Sequence, residues 1–306
     1  MNLPVYTHPA CMRHVVGPGH PECPERLGAV VDGLRHAWPD LDWREAPQAL
    51  RSQLERVHAG RLIAEVLDVP TVGTRRLDAD TAMNEHSAEA ALRAAGAGVA
   101  AVDGALRRGE SRAFCAVRPP GHHATAGIAM GFCLFNSIAV AAAHALHAHG
   151  LERVAIADFD VHHGNGTQAI FEHEPRVHYV SSHQSPLYPD SGFRSERGVG
   201  NVLNAPLPPG ADGAAFRRVW HDELLPALED FRPQLVLISA GFDAHHLDPL
   251  ADLGADSADF AWLTTELVAL AGRHAQGRAL SMLEGGYSLS ALREAAVAHV
   301  GALAEA

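Results

Sequence analysis

The chain is short of several things, and each shortage narrows what it can be. Only four cysteines occur among 306 residues. Cys11 and Cys23 lie near the start, Cys115 and Cys133 sit in the apolar runs "AFCAV" and "GFCLF", and none belongs to a C-x-x-C pair, which argues against a disulfide framework and for a reducing compartment. Runs of lysine or arginine are missing, and the formal net charge is −12 with a pI near 5.9. That balance lacks the electrostatic footprint of nucleic-acid binding, so no nucleic-acid partner is expected. An acidic surface suits a cationic substrate such as a lysine side chain or a polyamine, although solubility explains it as well. No apolar stretch reaches membrane-spanning length: the beginning "MNLPVYTHPACMRH" has no apolar core, and the alanine-rich segments near 94–105 and 138–148 are interrupted by Asp103 or by histidines. A soluble, cytoplasmic protein without a membrane partner is expected, and the sequence leaves open whether it forms a homo-oligomer.

What is present has a regular order. Short β-rich apolar runs, "AFCAV" at 113, "RVAIADFD" at 153, "RVHYVSS" at 176, "QLVLISAGFD" at 234 and "RALSMLEGGY" at 278, alternate with helical patterns from 87, 137, 214 and 257. Ser87 and Ser257 read as helix starts, and Gly109, Gly150 and Gly277 as stops. The alternation predicts an α/β fold: one domain over 1–306, with a mostly parallel central sheet and helices on both faces. The Pro/Gly-rich stretches "GPGHPECPERL", "RPPGHH", "SPLYPDSG" and "NAPLPPGADG" read as long ordered loops.

Four of the five strand candidates run directly into polar clusters: "RPPGHH", "DFDVHHGN", "FDAHHLDP" and "EGGY". Ligands bind outside the carboxyl ends of strands in open α/β sheets, so in a parallel sheet these clusters share one edge. In "DFDVHH" an extended chain turns Asp158, Asp160 and His162 to one face. Two members of that row and one carboxylate from "FDAHHLDP" would supply the three ligands of a catalytic zinc site. An ion-paired strand end with capping aspartates explains one such residue, but not this density without a lysine or arginine among them. The pair His122–His123 after "RPPG" suits a general base with a charged partner, and equally further ligands or a hydrogen-bonded loop. Tyr287 after two glycines projects either a phenolic donor into a cleft or a buried strand-end ring.

Taken together, "RPPGHHA", "GFCLFNSIAVAA", "DFDVHHGNGTQAIF", "SAGFDAHHLDP" and "LEGGYSL" resemble the zinc-dependent histone deacetylase superfamily, nearest its class II-like bacterial branch and the acetylpolyamine amidohydrolases. The resemblance implies the arginase/deacetylase fold and one zinc ion per chain on Asp160, His162 and Asp248. It implies His123 as general base, His122 as its electrostatic partner, Tyr287 as oxyanion donor, and Asp158 and Asn165 as the residues holding the two histidines. Asparagine at 165, where class I members carry aspartate, places the match in class II. Less directly, the resemblance puts Gly131, Phe132 and Tyr188 on a tunnel for an aliphatic acyl-amine stem, Asp80 or Thr81 against the substrate backbone, and Arg26 on an inner cavity. Potassium is implied at Asp158, Ser181 and Ser182 together with Asp160 and His162, and a second potassium near Phe171, Glu174 and Val177. His245–His246 and the face carrying His144, His147 and His149 are read as surface or supporting groups.

The expected activity is removal of acetyl or other short acyl groups from acylated amines, whether acetyl-lysine peptides or small acetylamines. The absence of a long insertion in the early loops leans away from long polyamines. A binuclear manganese ureohydrolase of the same fold and a non-catalytic acyl-amine binding protein are the alternatives. Metal stoichiometry separates the first, and loss of Tyr287 or of one paired histidine would mark the second; none is missing.

Overall fold

A computed structural model describes residues 3–305; Met1, Asn2 and Ala306, the ends of the expected 1–306 domain, lie outside the described residues. The strands are β1 (Pro4–Thr7), β2 (Asp42–Glu45), β3 (Arg75–Arg76), β4 (Ala82–Met83), β5 (Arg112–Cys115), β6 (Val154–Asp158), β7 (Val177–Gln184), β8 (Val202–Leu207), β9 (Leu235–Ala240) and β10 (Ala279–Leu283). Eight form one sheet in the order β2-β1-β5-β10-β9-β6-β7-β8, and every pairing in it is parallel; β3 and β4 make a separate antiparallel hairpin.

Burial follows from position. The central strands β6, β9 and β10 are buried at every residue, as parallel strands covered on both faces must be, whereas the edge strand β2 is partly open. One helical layer holds Ser87–Asp103 and Ser137–His149, and the other holds Ser257–His274, Leu289–Glu305 and Pro24–Ala37. The helix ends are chemical. Asn136 accepts the Ala139 N–H at 3.0 Å to start its helix, and Gly150 ends it in the left-handed region.

Ser257 and Ser87 open their helices as expected. Asp256 caps the first of these, in a capping box with Asp259, and the Ser87 hydroxyl accepts the Asn84 N–H at 2.8 Å. Two loop assignments need correction. "NAPL" is the end of β8 rather than loop: Pro206 is tolerated because β8 is an edge strand. "PERL" opens the helix Pro24–Ala37, with Pro24 at its first position. β1, β2 and the helices Gly60–Leu67 and Leu289–Glu305 have no counterpart in the sequence reading.

The consequence for function is a matter of neighbours. The strands that end in polar clusters, β5, β10, β9 and β6, are adjacent in the sheet. Their ends are level, with Cys115 beside Met282, Leu283 beside Ala240, and Ser239 beside Asp158. Four loops rich in histidine and carboxylate are therefore delivered to one place.

Candidate active site

The row expected in "DFDVHH" forms, with its members tied to different partners. Asp158 Oδ2 accepts from His122 Nδ1 at 3.0 Å and from the Tyr179 hydroxyl at 3.0 Å. Asp160 Oδ2 accepts the Gly285 N–H at 2.8 Å. His162 Nδ1 lies 3.2 Å from Asp160 Oδ1 and 3.1 Å from Asp243 Oδ2. Ligating atoms of Asp160, His162 and Asp243 fall within 4.8 Å of one another. Asp248 is not in that trio: its Oδ2 accepts the N–H of Tyr287 at 2.7 Å and of Ser288 at 3.3 Å, and its Oδ1 that of Leu250 at 3.0 Å. Asp243 is thus the carboxylate of "FDAHHLDP" that the structure adds to the row.

The donor set suits a divalent cation. Asp158, Asp160, Asp243, Asp248 and Glu284 are all buried here. Burial, followed by the charge of Asp160, pushes Asp243 up to about 7; burial also pushes Glu284 up to about 7, against the pull of His122 and the Gly121 N–H. Burial opposes a charge on His162, but Asp160 and Asp243 outweigh it and raise its pKa to about 10. Negative charge in excess of its protein partners, arrayed around an imidazole, is the environment in which a metal ion displaces a proton.

The paired histidines are held differently. His123 Nδ1 is 2.8 Å from Asn165 Oδ1, so Nδ1 carries a proton and Nε2 is left as the exchangeable nitrogen. Burial and then the neighbouring His122 and His162 hold His123 well below an ordinary histidine. Burial would lower His122 too, but the carboxylates of Asp160 and Asp158 override it and hold it well above. A cation bound by Asp160 would take back part of that pull. The rings lie 4.1 Å apart between centroids, so adjacent residues occupy opposite protonation regimes.

A cavity of about 220 Å³ reaches this group, lined by Asp80, His123, Gly131, Phe132, His162, Leu187, Tyr188, Leu250 and Tyr287. Phe132 meets the Tyr287 ring edge-on at 5.9 Å, and Tyr188 meets His123 at 5.1 Å. Phe132 has φ of 66°, a strained value for a bulky residue, and its N–H donates to Thr81 Oγ1 at 3.0 Å. Thr81 is fully buried and fixes that tunnel wall, whereas Asp80 is on the cavity itself.

Arg26 is not among the residues lining this cavity. Fully buried, it stacks 4.7 Å from the Tyr287 ring centre and donates to the carbonyls of Gly286 at 2.6 Å and Glu284 at 2.5 Å. It therefore clamps the "EGGY" turn. Glu22 holds Arg26 at 3.0 Å and Arg118 at 2.6 Å, tying that turn to "RPPGHH".

Sequence reasoning passed over Asp243, Glu284, Leu187 and Leu250. Glu284 accepts the N–H groups of Gly121 at 2.6 Å and His122 at 3.2 Å, fixing the backbone of the histidine pair. Its signal was present, since it stands in "LEGGY" at the end of an apolar strand with no basic residue beside it. Of the expected potassium residues, the Ser181 hydroxyl is 2.9 Å from His183 Nδ1, and the Ser182 hydroxyl accepts from Trp220 Nε1 at 2.9 Å. His245 and His246 stack at 4.5 Å outside the trio. His144 and His149, expected as a helix face, converge on Asp103 Oδ1 at 3.0 and 2.7 Å. There Arg56 donates to His144 Nδ1 at 2.8 Å, which keeps the His144 proton on Nε2, facing Asp103, and makes this a hydrogen-bonded cluster.

A parallel sheet whose strand ends gather buried carboxylates and histidines beneath a narrow aromatic tunnel is the arginase/deacetylase architecture. The comparison with known proteins agrees: residues 20–303 match the histone deacetylase domain. The chain is 41% identical over 278 residues to a histone deacetylase-like amidohydrolase of Pseudomonas aeruginosa, covering 88% of this chain and 73% of that one. It is 36% identical to a probable deacetylase of Archaeoglobus fulgidus, covering 92% and 80%. The crystal structure of the HDA15 HD domain superposes with a TM-score of 0.92 at 34% identity, covering 99% of this chain and 91% of that one. The chain belongs to the histone deacetylase family. No helix among the described residues is long and apolar enough to cross a membrane.

Proposed function

We propose that the chain, working as one catalytic domain over 1–306, is a zinc-dependent deacetylase of the cytoplasm that hydrolyses the amide of an acetylated amine, either acetyl-lysine in a peptide or a small acetylamine. The observation that carries this is the division of labour between His122 and His123: one ring is held by a carboxylate and the other by an asparagine amide, and both lie next to Asp160 and His162 at the floor of the cavity.

Asp160 and His162 would hold the ion, with Asp248 as the third ligand on the family resemblance and Asp243 as the carboxylate seen beside them. When bound, zinc supplies Lewis-acid polarisation of the substrate carbonyl and lowers the pKa of a water toward about 7. The protein does the rest. Phe132 and Tyr188 enclose the aliphatic stem of the amine, with Gly131 on the wall between them and His123, and Leu187 and Leu250 completing it. His123 Nε2 takes a proton from the attacking water as the oxygen–carbon bond forms, and delivers it to the nitrogen as the carbon–nitrogen bond breaks, leaving acetate and a free amine. His122, kept charged by Asp158, stabilises the developing negative charge. Tyr287 donates a hydrogen bond from its phenol to the carbonyl oxygen as that oxygen becomes anionic. Asp80 lines the cavity and would accept from the substrate backbone, while Thr81 and Arg26 hold the wall and the Tyr287 turn.

Acetate release from an acetyl-lysine peptide, compared between the wild type and His123→Ala, tests this reading. A loss of about 10²- to 10⁴-fold in kcat is expected for a general base. A variant that retains wild-type turnover would remove His123 from the chemistry.

A further inference from the structure

The resemblance to the family places a second potassium ion near Phe171, Glu174 and Val177, and the structure does bring the three backbone carbonyls together. A side chain already stands at their meeting point. Asn201, almost wholly buried, donates from its Nδ2 to Phe171 O at 2.7 Å, to Glu174 O at 3.0 Å and to Val177 O at 2.9 Å. Its orientation is set by its other end, because Oδ1 accepts the Val199 N–H at 3.2 Å, and turning the amide over would point an oxygen at three carbonyls.

Converging carbonyls replace the hydration shell of an alkali ion in ion-selective sites. Here the same oxygens receive an amide N–H₂ group, whose two donors carry partial positive charge and are tethered by the chain. Asn201 also lies directly before β8, and its carbonyl accepts the Tyr179 N–H at 2.9 Å, so the amide ties the 171–177 loop to the β7–β8 edge. A bound ion would have to displace three hydrogen bonds and strand the amide in a buried space. We propose that Asn201 is a built-in replacement for the second alkali ion, so that this chain binds no potassium at Phe171, Glu174 and Val177 and holds that loop without one.

The test is a rubidium soak of wild-type crystals together with melting temperatures measured in potassium chloride and in choline chloride at equal ionic strength. In the wild type no anomalous peak is expected among the three carbonyls. Asn201→Ala opens the space, and a rubidium peak there is expected. Asn201→Asp keeps the shape but, when ionised at about pH 8, turns a carboxylate oxygen toward the carbonyls, a repulsion that a bound cation relieves. Its melting temperature is expected to fall in choline chloride and to recover by a few degrees in about 0.1 M potassium chloride, beyond any shift of the wild type. A rubidium peak among these carbonyls in the wild type, with Asn201 swung aside, overturns the proposal. So does an Asn201→Asp protein no more responsive to potassium than the wild type, or a folded Asn201→Ala protein with no peak, since either would mean that the position is not an ion's place. These readouts do not use activity, so they stand apart from the deacetylase reading.

Discussion

Gly131 faces the imidazole of His123 so closely that a Cβ on the glycine would lie 2.5 Å from the ring, and its φ of 56° is one that side chains rarely adopt. The tunnel wall and the His123 ring are therefore packed against each other, with no room for a methyl group between them. Gly131→Ala should push the ring away from the cavity floor and lower kcat by about 10²-fold, with metal content unchanged. Elemental analysis alongside steady-state kinetics checks it, and wild-type kcat would show that the ring has room to move.

Tyr287 is positioned by three contacts that spare its hydroxyl: Arg26 over its ring, Phe132 against its edge, and its own N–H on Asp248. Tyr287→Phe leaves all three in place. Losing one preorganised oxyanion donor should cost about 10²- to 10³-fold in kcat while KM moves little. A variant keeping more than about a third of wild-type kcat would have less than about 1 kcal/mol at stake and would make Tyr287 a packing residue.

Much of this site is legible before folding because a parallel sheet converts strand ends into neighbours. "AFCAV", "RVAIAD", "QLVLISA" and "RALSML" all read as buried strands, and the polar clusters after them meet as expected at one edge. β1 and β2 escape because they are four residues long and, in β2, carry three charged residues of four. Side-chain partners escape for another reason. That Arg26 would spend its donors on Gly286 and Glu284, 260 and 258 residues away, or that Asn201 would fill a ring of carbonyls, depends on loop geometry to which no periodicity points.

Three histidines outside the carboxylate–histidine row, His58 and His299 buried and His178 partly so, are held neutral: loss of solvent lowers His58 and His178 to about 4 and His299 to about 3. Their folded pKa values lie below the ordinary value near 6.5, so the unfolded chain binds more protons and stability falls as pH drops from about 6.5 toward 4. His299 sits between the Thr264 and Ser281 hydroxyls at 2.6 and 2.7 Å. Urea unfolding between pH 7 and 5 should therefore lose stability on acidification, and His299→Gln should reduce that slope by about one proton. An unchanged slope would mean that His299 titrates in the folded protein as it does in the unfolded one.

Metal content separates the candidate third ligands. Asp160→Asn and Asp248→Asn should each abolish stoichiometric zinc, whereas Asp243→Asn should retain it, since Asp243 also serves the Val161 N–H at 2.8 Å. Zinc retained by Asp248→Asn and lost by Asp243→Asn would transfer the third ligand to Asp243.

One zinc ion per chain is expected to suffice for turnover, with one amine released per acetate. The enzyme is stripped with a chelator, titrated with zinc, and assayed on an acetyl-lysine peptide, acetylputrescine, acetylspermidine and other acylated small amines, counting acetate and amine together. The chain contains no lysine, so the enzyme has no lysine amines of its own to blur the amine count. Activity is expected to saturate at one zinc per chain, with acetate and amine in equal amounts from at least one substrate. A zinc-loaded protein that releases acetate from none of them, or activity that saturates only at two manganese ions with urea released from a guanidino substrate, would contradict it.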